Sequence, residues 1–113
     1  GDFTTAGGAA ATERLLAAYP DIDGIFAASD LMAAGALGVL AKHARSVPHD
    51  IKVVGYDDLG VATSTAPPLT TMRNPVLEMS RAAGDLLLAK LTGGDEDAVP
   101  RVFHAELVVR ESA

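Results

Sequence analysis

The chain contains no cysteine and no tryptophan, and two Tyr and three Phe are its only aromatic residues. Without cysteine there is no disulfide framework and no thiolate chemistry, a composition that suits a reducing cytoplasm. Basic residues are also scarce: nine Lys and Arg stand against fifteen Asp and Glu, a formal charge of −6. No cluster of cations is available for a phosphate backbone, so any DNA contact must come from outside this segment. The longest apolar run, Leu31 to Ala41, is about half of the ~20 residues that a membrane helix requires. Phosphate-cradling glycine motifs and a G-x-S-x-G elbow are missing as well, and His43, His49 and His104 match no metal-ligand spacing. They read as ordinary surface or strand histidines, Ser29 has no neighbouring base, and no cofactor is implied. The chain does not open with Met, a basic segment or a cleavage site, so Gly1 is read as a boundary within a longer protein.

What is present suits a folded α/β domain. Nearly half the residues are apolar and a fifth are charged, and a chain of this length buries roughly two-thirds of its unfolded surface. Thr4 can cap a helix running through Ala17, ended by Pro20-Asp21. Gly24 to Ser29 is short and apolar enough for a strand buried on both faces, with Asp30 at its carboxyl end. Leu31 to Arg45 is helical but apolar on almost all sides until Lys42. Its Ala33, Ala34, Gly35, Ala36 and Gly38 allow another backbone to approach closely, either within the domain or in a second subunit. Gly60 to Pro68 reads as a loop, Leu69 to Met72 as a brief extended segment, and Arg73-Asn74-Pro75 as a hinge. Val76 to Leu91 is amphipathic, with Val76, Met79, Ala83, Leu86, Leu87 and Leu91 at helical spacing, and Gly93-Gly94 stops it. Asp95 to Asp97 is an acidic turn, and Val102 to Arg110 alternates as a final strand.

The most informative stretch is Ile51 to Pro75. Ile51, Val53 and Val54 make a short β-branched strand that turns at Gly55-Tyr56 into Asp57-Asp58. In an open parallel sheet the carboxyl ends of strands face the ligand crevice, so Asp57 is placed to reach a bound molecule. A carboxylate accepts two hydrogen bonds in a fixed plane, which suits vicinal sugar hydroxyls or an amino-substituted ring. The competing reading makes Asp57 a turn residue that caps backbone N–H groups, and for Asp58 that reading is preferred. Asn74 offers a donor and an acceptor at the hinge, or is a plain turn residue before proline. Phe3 can stack on a sugar face or belong to the core. Asp30 and Asp57 at two strand ends also leave open a Mg²⁺-dependent phosphoryl-transfer or receiver-like domain, with Arg73 as its nearest cation.

The segments GIFAASDLMAAGAL (24–37), VPHDIKVVGYDD (47–58), PPLTTMRNP (67–75) and ELVVRESA (106–113), with the GDFTTAGG opening, resemble the C-terminal part of the effector-binding domain of LacI/GalR-type bacterial repressors. Periplasmic sugar-binding proteins share part of this pattern and are the alternative. The resemblance implies a three-layer parallel α/β sheet of the periplasmic-binding-protein-like I type, with most of the N-terminal lobe outside the chain. It implies that residues 1–73 and 102–113 form the C-terminal lobe, and that 74–101 is a crossover helix packing on the other lobe, whose loss would leave a sticky leucine stripe. By position, Asp57 corresponds to the effector-contacting carboxylate, Asn74 to a polar hinge contact, Phe3 to an aromatic stacker and Ser29 to a ligand contact in some members. An effector-binding arginine would lie upstream of Gly1. The implied protein is a cytoplasmic, non-enzymatic repressor that binds a saccharide. It would dimerise through Leu31–Arg45, touch DNA only through a headpiece absent here, and contact no membrane.

Overall fold

The computed structural model describes residues 2–93 and 102–113, which fall into two compact units, Gly1–Arg73 with Leu107–Ala113, and Asn74–Glu106. The first unit carries α1 (Thr5–Ala18), β1 (Gly24–Phe26), α2 (Asp30–Lys42), β2 (Lys52–Asp57), α3 (Val61–Ser64) and β3 (Thr70–Arg73). After α4 (Val76–Leu91), β4 (Glu106–Val108) completes a sheet ordered β1-β2-β3-β4, in which β1–β2 and β2–β3 are parallel. This is the mostly parallel α/β architecture that the alternation of apolar strands and helices predicts.

Helices α1 and α2 start where capping chemistry places them. The Thr4 hydroxyl accepts the Gly7 N–H at 2.9 Å to open α1, and Ser29 does the same for the Met32 N–H at 3.2 Å to open α2. Helix α2 contacts both α1 and β2. The small residues that left a subunit interface open are used at least in part inside the chain. A methyl group at Gly8 would overlap the Met32 backbone, and one at Gly35 would overlap the Thr5 carbonyl, so glycine is what lets α1 and α2 cross at this distance. Beneath them Leu40, Ile51, Val53 and Leu69 are fully buried with Ala33 and Ala62, each large side chain contributing about 1.5–3 kcal/mol by leaving water.

Several local expectations need correcting. β1 ends at Phe26 and is not buried on both faces: it is the sheet's edge, and Phe26 is 66% exposed. β2 does not turn at Gly55-Tyr56 but pairs with β3 through Asp57 opposite Arg73. α2 stops at Lys42 because Ala44 adopts a left-handed backbone (φ 55°) and the Arg45 N–H returns to the Leu40 carbonyl at 2.8 Å. The stretch read as a loop holds the single turn α3, whose Ala62 is fully buried. The last strand is shorter than its alternation suggests, spanning Glu106–Val108. Gly94 and the acidic turn at Asp95 to Asp97 lie outside the described residues. In the second unit α4 has the predicted bounds, and none of its residues is buried.

Ser112 closes the sheet where β3 has not yet begun. Its backbone carbonyl accepts the Val53 N–H at 2.9 Å, its hydroxyl donates to the Val53 carbonyl at 2.6 Å, and the same oxygen accepts the Thr70 N–H at 2.8 Å. One buried residue thus stands in for the strand that Val53 lacks on that side.

Candidate functional site

The carboxyl ends of β1 and β2 feed Ala28-Ser29-Asp30 into α2 and Asp57-Asp58-Leu59 toward α3. Between these two exits lies a cavity of about 580 Å³, lined by Ala28, Ser29, Asp30 and Leu31 from the first and by Tyr56, Asp57, Leu59 and Val61 from the second. Phe3 lines it from the segment ahead of α1. The volume falls within the ~300–1,000 Å³ typical of small-molecule pockets, and so does the mixture of apolar walls with a few polar groups.

Three acids at this end of the sheet have different fates. The buried Asp30 carboxylate accepts the Thr71 hydroxyl at 2.6 Å and the Asp58 N–H at 2.8 Å. Its near contact with β2 requires Gly55, since a Cβ there would collide with the Asp30 carboxylate and lie 2.8 Å from the Leu69 side chain. The Asp58 carboxylate is ion-paired on both oxygens, with Arg73 at 2.9 Å and Arg110 at 2.9 Å. Burial pushes the Asp58 carboxyl up, but the hydrogen bonds and charges of the two arginines outweigh it, so the group titrates below its ordinary value. Asp58 is therefore structural, as expected, though it grips arginines rather than capping backbone N–H groups.

Asp57 differs from both neighbours. It lines the cavity, and its carboxylate accepts no hydrogen bond from any described residue. Burial, reinforced by the nearby Asp30 charge, raises its carboxyl above the ordinary value. Its backbone stands at φ 126°, followed by Asp58 at φ 59°. The first value belongs to a region favoured by glycine and costs of order 1–3 kcal/mol, a strain that collects at ligand sites. Phe3 is a further non-glycine residue at positive φ (59°) and is 61% exposed. It follows Asp2, whose carboxyl accepts the Thr4 hydroxyl at 2.6 Å and is held below its ordinary value mainly by that bond.

The structure thus brings Phe3, Ser29 and Asp57 to one cavity. Ser29 spends an acceptor lone pair as the cap of α2 while its proton stays free among the described residues. Asn74 begins the second unit and is not among the residues lining the cavity. Tyr56, Leu31, Leu59 and Val61 were not singled out beforehand, because apolar residues near a strand end carry no signal until the loops fold together. Arg110 was also missed. A lone cation in the otherwise alternating LVVRES run was the available hint.

The magnesium alternative loses its parts. Asp30 is committed to Thr71 and the Asp58 backbone, Arg73 to Asp58, and no group of three His, Asp or Glu residues suited to a metal occurs among the described residues. A hollow of about 550 Å³ on the second unit, around Leu77, Arg81, Asp85 and Phe103, is lined by no strand residue among those described.

A cavity at the carboxyl ends of parallel strands, lined by an acid that accepts no hydrogen bond from the described residues, lies where open α/β sheets take their ligands. Residues 1–113 match the periplasmic binding protein-like domain. The chain belongs to that family, and its solved neighbours include LacI-family regulators. It is 46% identical over 112 residues to the HTH-type transcriptional regulator CelR of Thermobifida fusca, covering 99% of this chain and 33% of that protein. Among solved structures, a CelR–cellobiose complex superposes with a TM-score of 0.94 at 46% identity, covering 100% of this chain and 35% of the other. A LacI family regulator from Arthrobacter sp. FB24 in complex with lactose gives 0.87 at 35% identity, over 97% and 41%. The chain spans about a third of the length of the curated relatives it matches.

Proposed function

We propose that this chain is the effector-sensing part of a cytoplasmic bacterial transcriptional repressor, and that its cavity takes one side of a small neutral saccharide. One observation carries this reading: Asp57 lines the cavity with a carboxylate that accepts no hydrogen bond from the described residues, while the acids beside it are engaged. A sugar offers paired hydroxyl donors to such a carboxylate and a C–H face to an aromatic ring. Asp57 accepts two hydroxyls, Phe3 covers a ring face and the free proton of Ser29 donates to a ring or hydroxyl oxygen. Leu31, Leu59 and Val61 exclude water around them. The cellobiose and lactose bound by two neighbours support this ligand class.

The role is binding, not catalysis. Asn74, at the connection between the units, adds a polar hinge contact, and α4 (Val76–Leu91) packs on a second lobe supplied by sequence outside this chain. Effector binding shifts the operator affinity of a DNA-binding headpiece, also outside the chain, by preferring one lobe arrangement. The regulator is a homodimer with Leu31–Arg45 at its interface. In support, Gly38 and Ala41 remain exposed on α2 and a Cβ at Gly38 would meet nothing within 4 Å. No described helix is long and apolar enough to cross a membrane.

The test is calorimetric titration of the full-length protein with cellobiose and lactose. Asp57→Ala should weaken binding of the sugar that binds by roughly 1–3 kcal/mol, the value of a hydrogen bond to a charged group. Unchanged affinity removes Asp57 from the site and the reading with it.

A further inference from the structure

Asp58 is nearly enclosed, with 6% of its side chain exposed, yet it reaches two chain segments far apart in sequence. Its Oδ2 receives Arg73 Nε and Nη2, both at 2.9 Å, and its Oδ1 receives Arg110 Nη2 at 2.9 Å. Arg73 is the last residue before the chain leaves this unit at Asn74, and Arg110 lies just past its return at Leu107. A single carboxylate therefore holds both connections. Arg110 is itself anchored: its Nη1 donates to the Leu69 carbonyl at 2.9 Å and its N–H to the Thr70 hydroxyl at 2.8 Å. On the other side, the Asp58 N–H is tied to Asp30, which Thr71 holds.

All these ties converge on one peptide unit, between Asp57 and Asp58, where the backbone stands at φ 126° and then 59°. Such a conformation persists only where its surroundings over-determine it. Asp57 contributes none of those restraints through its own side chain, since its carboxylate accepts no hydrogen bond from the described residues. We propose that Asp58 is the positioning residue of the effector site: clasping Arg73 and Arg110, and backed by Asp30, it holds the turned backbone that presents Asp57 to the cavity. This rests on the saccharide-sensor reading above.

A residue that acts through Asp57 leaves a signature that general weakening of the fold does not. In the full-length protein, titrated with cellobiose and lactose, Asp58→Asn should lower affinity by on the order of tenfold. The same substitution placed on Asp57→Asn should change affinity little further, because contacting residues in one network are strongly non-additive. Equal losses in both backgrounds, or no loss in either, overturn the proposal. If the unsubstituted protein binds neither sugar, the sensor reading fails on its own account, and amide hydrogen exchange decides the positioning without a ligand. Asp58→Asn should then speed exchange at residues 57–60 while β2 residues 52–55 stay protected, and unchanged exchange at 57–60 overturns the assignment.

Discussion

Replacing Ser112 by Ala removes one oxygen from the interior, and the hydrogen-bond geometry sets the cost. Ser112 is fully buried, and its hydroxyl gives Val53 O and Thr70 N their partner at 2.6 Å and 2.8 Å. β3 begins at Thr70, opposite Val54, so it has no residue to offer Val53. Each unpaired buried backbone group costs about 1–3 kcal/mol, and partial relaxation puts the pair at about 2–4 kcal/mol. The substituted side chain keeps its volume less one atom and leaves no room for water, so little is recovered. Urea denaturation followed by tyrosine fluorescence is a suitable assay, since Tyr19 and Tyr56 both lie in the first unit. With a slope of about 1–2 kcal/mol per molar urea, the midpoint should fall by at least ~1 M at unchanged slope. A loss below ~0.5 kcal/mol would refute the claim that this hydroxyl substitutes for a strand.

Two glycines on α2 should respond in opposite directions. Within the single subunit Gly35→Ala drives a methyl into the Thr5 carbonyl and should destabilise by at least ~1–3 kcal/mol through overpacking, whereas Gly38→Ala meets open space within the subunit and should stabilise its fold by about 0.5–1 kcal/mol while weakening the proposed dimer contact. Thermal denaturation of both variants checks the pair. The Asp58 carboxyl is lowered below the ordinary 3.8, so its ion pairs contribute fully above that value. Their contribution is lost as pH falls through the folded value, and Asp58→Asn should erase this acid-side dependence in denaturation measured against pH. The Asp57 carboxyl is raised above 3.8, so ionising it costs the unliganded fold stability as pH rises past that point. Sugar hydroxyls favour the ionised form, so affinity should decline as pH falls through the raised value. Calorimetry across that range should show proton release on binding, absent in Asp57→Asn.

Much of this chain was legible from residue order alone. Helix α4 has the bounds its leucine spacing predicts, the cap Thr4 opens α1, and the β-branched run before Asp57 forms the central strand. These are local properties, set by period, by capping oxygens and by side-chain shape. The acid at the strand end was legible for the same reason: strand direction fixes which end meets the crevice. What residue order left undecided was how neighbouring acids divide their work. Asp30, Asp57 and Asp58 are chemically alike in the sequence. Only the tertiary structure commits Asp30 to Thr71, commits Asp58 to two arginines from distant segments, and leaves Asp57 lining a cavity without a partner among the described residues. The exposure of Phe26 and the use of Gly35 by α1 were likewise settled by which surfaces meet, because burial depends on partners from elsewhere in the chain.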